Sequence, residues 1–153
     1  MNTRYSTVGR FFSIGARSVT IAIAGLMLVT GRAADIDHGQ GLFNEHCSAC
    51  HTIIASVRDK SGPNLNGLFG RRAGTEDYSA GYSDEMAASR VTWEVATLQA
   101  FLNSPALMVR GTKMVFRGLP DFEARLDLAC YLERTTGEGD APPNDLCVEE
   151  TRD

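Results

Sequence analysis

The sequence predicts an all-α single domain of a few short helices joined by long loops. Three observations predict it. Apolar residues recur at helical spacing in three short segments, around Leu42, Leu98 and Leu128. No stretch alternates apolar and polar residues for long enough to suggest a strand. Between the first two helical segments lies a run with Gly62, Pro63, Gly67, Gly70, Gly74 and Gly81, and with Asn64 and Asn66 among them. Loops of that length are uncommon in a compact domain unless something organises them. A large, flat, apolar group at the centre would do so, by supplying core that the side chains do not.

The chain has 153 residues, enough for one domain. Residues 1–33 read as an export signal rather than as part of it. Arg4, Arg10 and Arg17 precede the uncharged apolar run Val19 to Val29, small residues follow, and no acidic residue appears before Asp35. The run is short for a bilayer span, and the expected cut lies after Ala33. The expectation is therefore a periplasmic protein without stable membrane insertion, with a retained anchor as the alternative. The leader carries four of the 15 basic residues and none of the 19 acidic ones, leaving 11 against 19, or −8. A net charge of that sign argues against nucleic acid as a partner.

The first helix is expected from about Asp37, with Asp37 as cap, Gln40 completing a capping box, and Leu42 and Phe43 as the apolar face. Directly after it comes Cys47-Ser48-Ala49-Cys50-His51, which fits the c-type haem attachment pattern. Thiols at i and i+3 present both sulfurs to one edge of a porphyrin, and His51 follows as an iron ligand. A zinc site would need about four ligands, and no second close-spaced pair is present. A dithiol redox motif would sit beside a parallel sheet, which the pattern lacks.

After the glycine-rich loop, Thr92 is a plausible cap, with Glu94 in the first turn. Val95, Leu98, Phe101 and Leu102 make an apolar stripe. Ser104 before Pro105 ends that helix. Of the methionines beyond the leader, Met86, Met108 and Met114, the last follows Gly111-Thr112-Lys113, a loop able to carry a thioether to a ring. The last helix is expected from Pro120 as its first residue to a stop at Gly137, with Ala124, Leu128, Tyr131 and Leu132 buried. Residues 137–153 form an acidic extension. With Cys47 and Cys50 consumed by haem, Cys130 and Cys147 are expected to form a disulfide in an oxidising compartment. A buried Cys130 and a free Cys147 thiol are the alternative.

The stretches CSACHT, GPNLNGLFGRRAG, Tyr82, VTW, NSP, GTKMVF and Asp127 to Leu132 together resemble the mitochondrial and bacterial cytochrome c family, and within it cytochrome c2 of purple bacteria. The resemblance covers nearly all of residues 34–136. It implies the class I cytochrome c fold around one covalently attached haem c. It further implies His51 and Met114 as axial iron ligands, with the Pro63 carbonyl accepting the proton on the other nitrogen of His51. Arg71, Tyr82 and Trp93 stand where the family holds the haem propionates. Gly39, Phe43, Leu128 and Tyr131 stand where the first and last helices meet. Phe101 and Met86 depart from the usual tyrosine and asparagine, removing hydrogen-bonding groups.

The function implied is that of a soluble, monomeric one-electron carrier and not an enzyme. It would run from a quinol–cytochrome c oxidoreductase to a photosynthetic reaction centre or terminal oxidase. Arg58, Lys60, Lys113 and Arg117 flank the positions at which such partners dock. Ala106, Leu107, Pro120, Asp121 and Phe122 fall where relatives are often basic. The competing function is a haem enzyme or gas sensor whose sixth iron position opens.

Overall fold

Asp35 starts the first helix, α1, which spans Ile36–His46. Its carboxylate accepts the His38 N–H at 2.9 Å. The expected cap, Asp37, instead lies in the first turn, where its charge still complements the helix dipole. The computed structural model describes residues 32–137 and 144–147. The leader expected over 1–33 thus lies outside the described residues, apart from Arg32 and Ala33. Most of the acidic extension lies outside them too.

Two short helices occur where the sequence pattern suggested none. Helix α2, Asp84–Ala88, is capped by Ser83, whose hydroxyl accepts the Met86 N–H at 3.2 Å. Helix α4, Pro105–Met108, begins with proline at its first turn, where a missing N–H costs nothing. Between them α3 spans Val95–Asn103. Its cap is Glu94, not Thr92: Glu94 and Thr97 each accept the other's backbone N–H, a capping box. Thr92 has other partners, pairing with Arg72 in an isolated bridge while its carbonyl accepts the Thr97 hydroxyl at 2.7 Å. The last helix, α5, spans Phe122–Thr136 and is capped by Asp121. Pro120 sits two residues before it, its carbonyl accepting from Arg125 at 2.7 Å. Gly137 closes the helix. Among the described residues there is no strand, and no helix is long and apolar enough to cross a membrane.

The frame is the crossing of α1 and α5. A Cβ on Gly39 would stand 2.1 Å from the Asp127 carbonyl oxygen and 2.8 Å from the Tyr131 Cβ, so only glycine permits this approach. Phe43 and Tyr131 meet beside it with ring centroids 5.9 Å apart. Asp127 is 1% exposed. A buried carboxylate needs partners, and it has three: the Asp35 N–H at 2.7 Å, His38 Nδ1 at 2.7 Å and the Arg32 guanidinium at 3.4 Å. Helix α3 packs on α5 through Val95, Leu98, Phe101 and Leu102, all buried.

At the far end of α5, Cys130 is fully buried and joined by a disulfide to Cys147, in a 3-10 turn over Asp145–Cys147. The bridge, with the Asn144 N–H donated to Glu133 at 3.2 Å, ties residues 144–147 to α5.

The haem-binding cavity

The attachment motif winds directly off α1. The amides of Cys47 and Ser48 both donate to the Phe43 carbonyl at 2.9 Å, and the His51 N–H reaches the Cys47 carbonyl at 2.9 Å. This turn holds Cys47, Cys50 and His51 against one wall of a cavity of about 460 Å³. Both thiols are free, with Cys47 buried and Cys50 exposed. Burial, with the neighbouring Cys50 adding to it, pushes the Cys47 thiol up to about 11, so it is held protonated.

The His51 ring is oriented by its surroundings. Nδ1 lies 2.8 Å from the Pro63 carbonyl oxygen, which can only accept, so Nδ1 carries the proton and Nε2 keeps its lone pair. Burial holds the imidazole below its ordinary range and favours this neutral form, against the Pro63 bond, which raises it; nearby Lys60 lowers it further. Gly62 makes room for the ring, since a Cβ there would fall 2.5 Å from His51 Cε1. Gly62 appeared in the sequence only as a loop former, and the packing role depends on a contact across 11 positions.

The remaining wall is largely apolar. Leu68, Met86, Trp93, Leu98, Phe101 and Leu102 line it, and Met114 joins them from the loop after α4. Trp93 and Phe101 pack edge to face at 5.1 Å. Met86, where a buried amide was the family's habit, is 8% exposed and lines the same wall. Tyr82 also lines the cavity, against Tyr78 at 5.4 Å, and burial raises its phenol.

Arg71 lines the cavity as well, but its guanidinium already has partners. It pairs with Glu76 and donates to the carbonyls of Asn66 at 3.0 Å and Asn64 at 3.2 Å. Of the four cations named for docking, Lys60 donates to the Ser48 carbonyl at 2.5 Å and Lys113 to that of Gly81 at 3.0 Å. Arg58 and Arg117 are exposed.

Two free thiols one turn apart, a neutral imidazole and a thioether thus line one deep, mostly apolar cavity. That set of donors fits a covalently held tetrapyrrole iron, and it defines a c-type haem protein. The family model described as Cytochrome c matches residues 36–135. Relatives include cytochrome c of Cannabis sativa, 45% identical over 100 residues that cover 64% of this chain and 87% of the relative. Those of Chlamydomonas reinhardtii and Theileria parva are 41% and 39% identical, each over 104 residues and 68% of this chain, covering 92% and 89% of the relatives. The chain belongs to the cytochrome c family. It binds one covalently attached haem c and is an electron-transfer protein, not an enzyme.

The comparisons correct one expectation. These relatives come from eukaryotes, which have no periplasm, and the periplasmic location inferred from the leader is overturned. The physical reason is that an arginine-rich, acid-free leader is common to export signals and organelle transit segments. Charge and hydropathy of residues 1–33 do not distinguish them.

Proposed function

We propose that Cys47 and Cys50 would carry the haem as thioethers, and that His51 and Met114 would supply its two protein iron ligands. In this reading residues 34–136 are the haem domain, residues 1–33 a cleaved targeting leader, and residues 137–153 a pinned acidic extension. The observation that carries it is the single cavity whose lining unites Cys47, Cys50, His51 and Met114. Haem supplies an Fe(II)/Fe(III) couple that holds one electron. The chain's own residues set its surroundings. His51 is held by Pro63 in one tautomer and one orientation. The Met114 thioether is neutral and soft, which favours the reduced state and raises the potential. Leu68, Trp93, Leu98 and Phe101 keep water from the cavity wall.

With His51 and Met114 both engaged as iron ligands, no position would remain for a substrate, and exchange of electrons would be the chemistry left. The monomer accepts electrons from a quinol–cytochrome c oxidoreductase and delivers them to a terminal oxidase or a photosynthetic reaction centre. Arg58, Lys60, Lys113 and Arg117 contribute positive charge around the docking surface. Absorption spectroscopy of the purified protein in both oxidation states, with a potentiometric titration, tests the reading. The ferric protein should show the charge-transfer band of methionine-ligated iron. A ferric protein that lacks this band and binds imidazole readily would favour the open-site reading instead.

A further inference from the structure

The buried Asp127 carboxylate takes its partners from both sides of the expected cut after Ala33. Its Oδ1 accepts the Asp35 N–H at 2.7 Å, and its Oδ2 lies 2.7 Å from His38 Nδ1 and 3.4 Å from the Arg32 guanidinium. Arg32 also stands 3.4 Å from Glu123 and 4.0 Å from the Asp35 carboxylate. The Asp127 charge, more than any other neighbour, holds that guanidinium above its ordinary range. A cation beside the first turns of α1 and α5 is opposed by both helix dipoles. Asp35 and Asp37 at the start of α1, with Glu123 and Asp127 on α5, reverse that preference.

A cut after Ala33 takes Arg32 away. Around the site, Asp35, Asp37 and His38 then remain at α1 and Glu123 and Asp127 on α5. A buried carboxylate that loses its cation is costly. The same cut makes a new cation. A peptidase adds water across the Ala33–Ala34 bond, leaving a carboxylate on Ala33 and an amino group on Ala34, which is protonated at neutral pH. Ala34 is buried and packed into the core of the domain, so its backbone is held by the fold and not by the residues before it. Its nitrogen is three bonds from the Asp35 nitrogen, about 3–4 Å away, and the Asp35 nitrogen already touches Asp127.

We propose that Asp127 is the seat of the chain's own processed amino terminus, and that the Ala34 ammonium takes the place held by the Arg32 guanidinium in the uncut chain. The proposal rests on the reading of residues 1–33 as a cleaved leader. Processing then exchanges one cation for another at the crossing of α1 and α5, and the frame of the fold keeps its charge balance. An ammonium held by Asp127 gives up its proton less readily than a free one, so its pKa in the folded protein lies above the ordinary range of about 7.7–8.0. The stability it contributes is full below that range and is lost as pH rises through the folded value. Acetylation of the amino group removes the charge and empties the seat.

The test uses the haem-loaded protein obtained from the full chain after processing, kept in the reduced state. Mass spectrometry reads its amino terminus. Carbon-13 NMR of the alanine-labelled protein follows the Ala34 carbonyl from about pH 6 to about pH 11. The midpoint should fall near about pH 9, which corresponds to an ammonium favoured about tenfold by its seat. In Asp127→Asn it should return to about 7.7–8.0. A parent midpoint within that ordinary range refutes the seat, and this holds whether or not Asp127→Asn folds. A raised midpoint that persists in Asp127→Asn refutes it too, because Asp35 or Glu123 would then hold the amine. Urea unfolding supplies a second reading. The advantage of the parent over Asp127→Asn in folding constant should shrink about tenfold between about pH 7 and about pH 11, and an advantage unchanged by pH counts against the proposal. Failure of the leader reading looks different: mass spectrometry would find Arg32 still in the chain, and the seat would fall with it.

Discussion

Gly39 and Gly41 lie two residues apart in α1, and adding a methyl group to each should have opposite effects. A Cβ at Gly39 would meet the Asp127 carbonyl oxygen at 2.1 Å and its carbon at 2.6 Å, whereas ordinary contact begins near 3.4 Å. The obstruction is backbone of α5, which no rotamer change can clear, so the two helices must part by about 1 Å at their closest point. Such overpacking costs about 1–3 kcal/mol. Parting the helices also strains the Asp35 to Asp127 bond and the Phe43–Tyr131 contact, which lie beside it. The gain in helix propensity from glycine to alanine, about 1 kcal/mol, offsets part of this. The net expectation for Gly39→Ala is a loss of about 1 kcal/mol. At Gly41 nothing lies within 4 Å of the added carbon, so only the propensity gain remains, and Gly41→Ala should stabilise by about 0.8 kcal/mol. Urea denaturation of the haem-loaded variants, followed by far-ultraviolet circular dichroism, measures both. With a slope of about 2 kcal/mol per molar, the two midpoints should separate by about 0.9 M. Equal midpoints, or a Gly41→Ala loss as large as that of Gly39→Ala, would show that the crossing is not the tight contact described.

Met114→Ala should leave the haem attached through Cys47 and Cys50. It should abolish the methionine charge-transfer band, lower the potential and admit imidazole; a surviving band in the ferric spectrum would transfer the ligand role to another residue. Cys147→Ser opens a disulfide that spans 17 positions, which in the chain-entropy treatment is worth about 3 kcal/mol. The melting temperature should fall by about 10 °C or more, with the potential unchanged because neither sulfur lines the cavity; a change in potential without a change in melting would contradict this. Lys113→Glu with Arg117→Glu should slow oxidation by a partner bearing carboxylates and weaken its dependence on salt. Stopped-flow rates equal to the parent at low ionic strength would remove these two cations from the account.

What could be read from the chain and what could not divide along a physical line. The attachment turn is local: Cys47, Cys50 and His51 lie within five positions, and their spacing alone states the chemistry. The stripes of α3 and α5 are equally local, because helical periodicity is a property of one segment. The helix starts were displaced because capping competes with partners elsewhere. Asp35, not Asp37, caps α1 in a segment whose backbone is already held by Asp127, 92 positions away. Thr92 is engaged by Arg72 across the loop, so the cap passes to Glu94. Helices α2 and α4 have five and four residues, too few to display a period. Gly62 looked like any loop glycine until His51 was found against it. The same division bears on two features of consequence to function. Arg71 lines the cavity, and the Glu76 carboxylate and two carbonyls that hold its guanidinium there could not be read from its place in the chain. Residues 1–33 have the charge and greasiness expected of a targeting leader, but a destination is decided by the receptor that reads such a segment. Composition fixes what a segment can bind in bulk, and only its specific partners fix what it does.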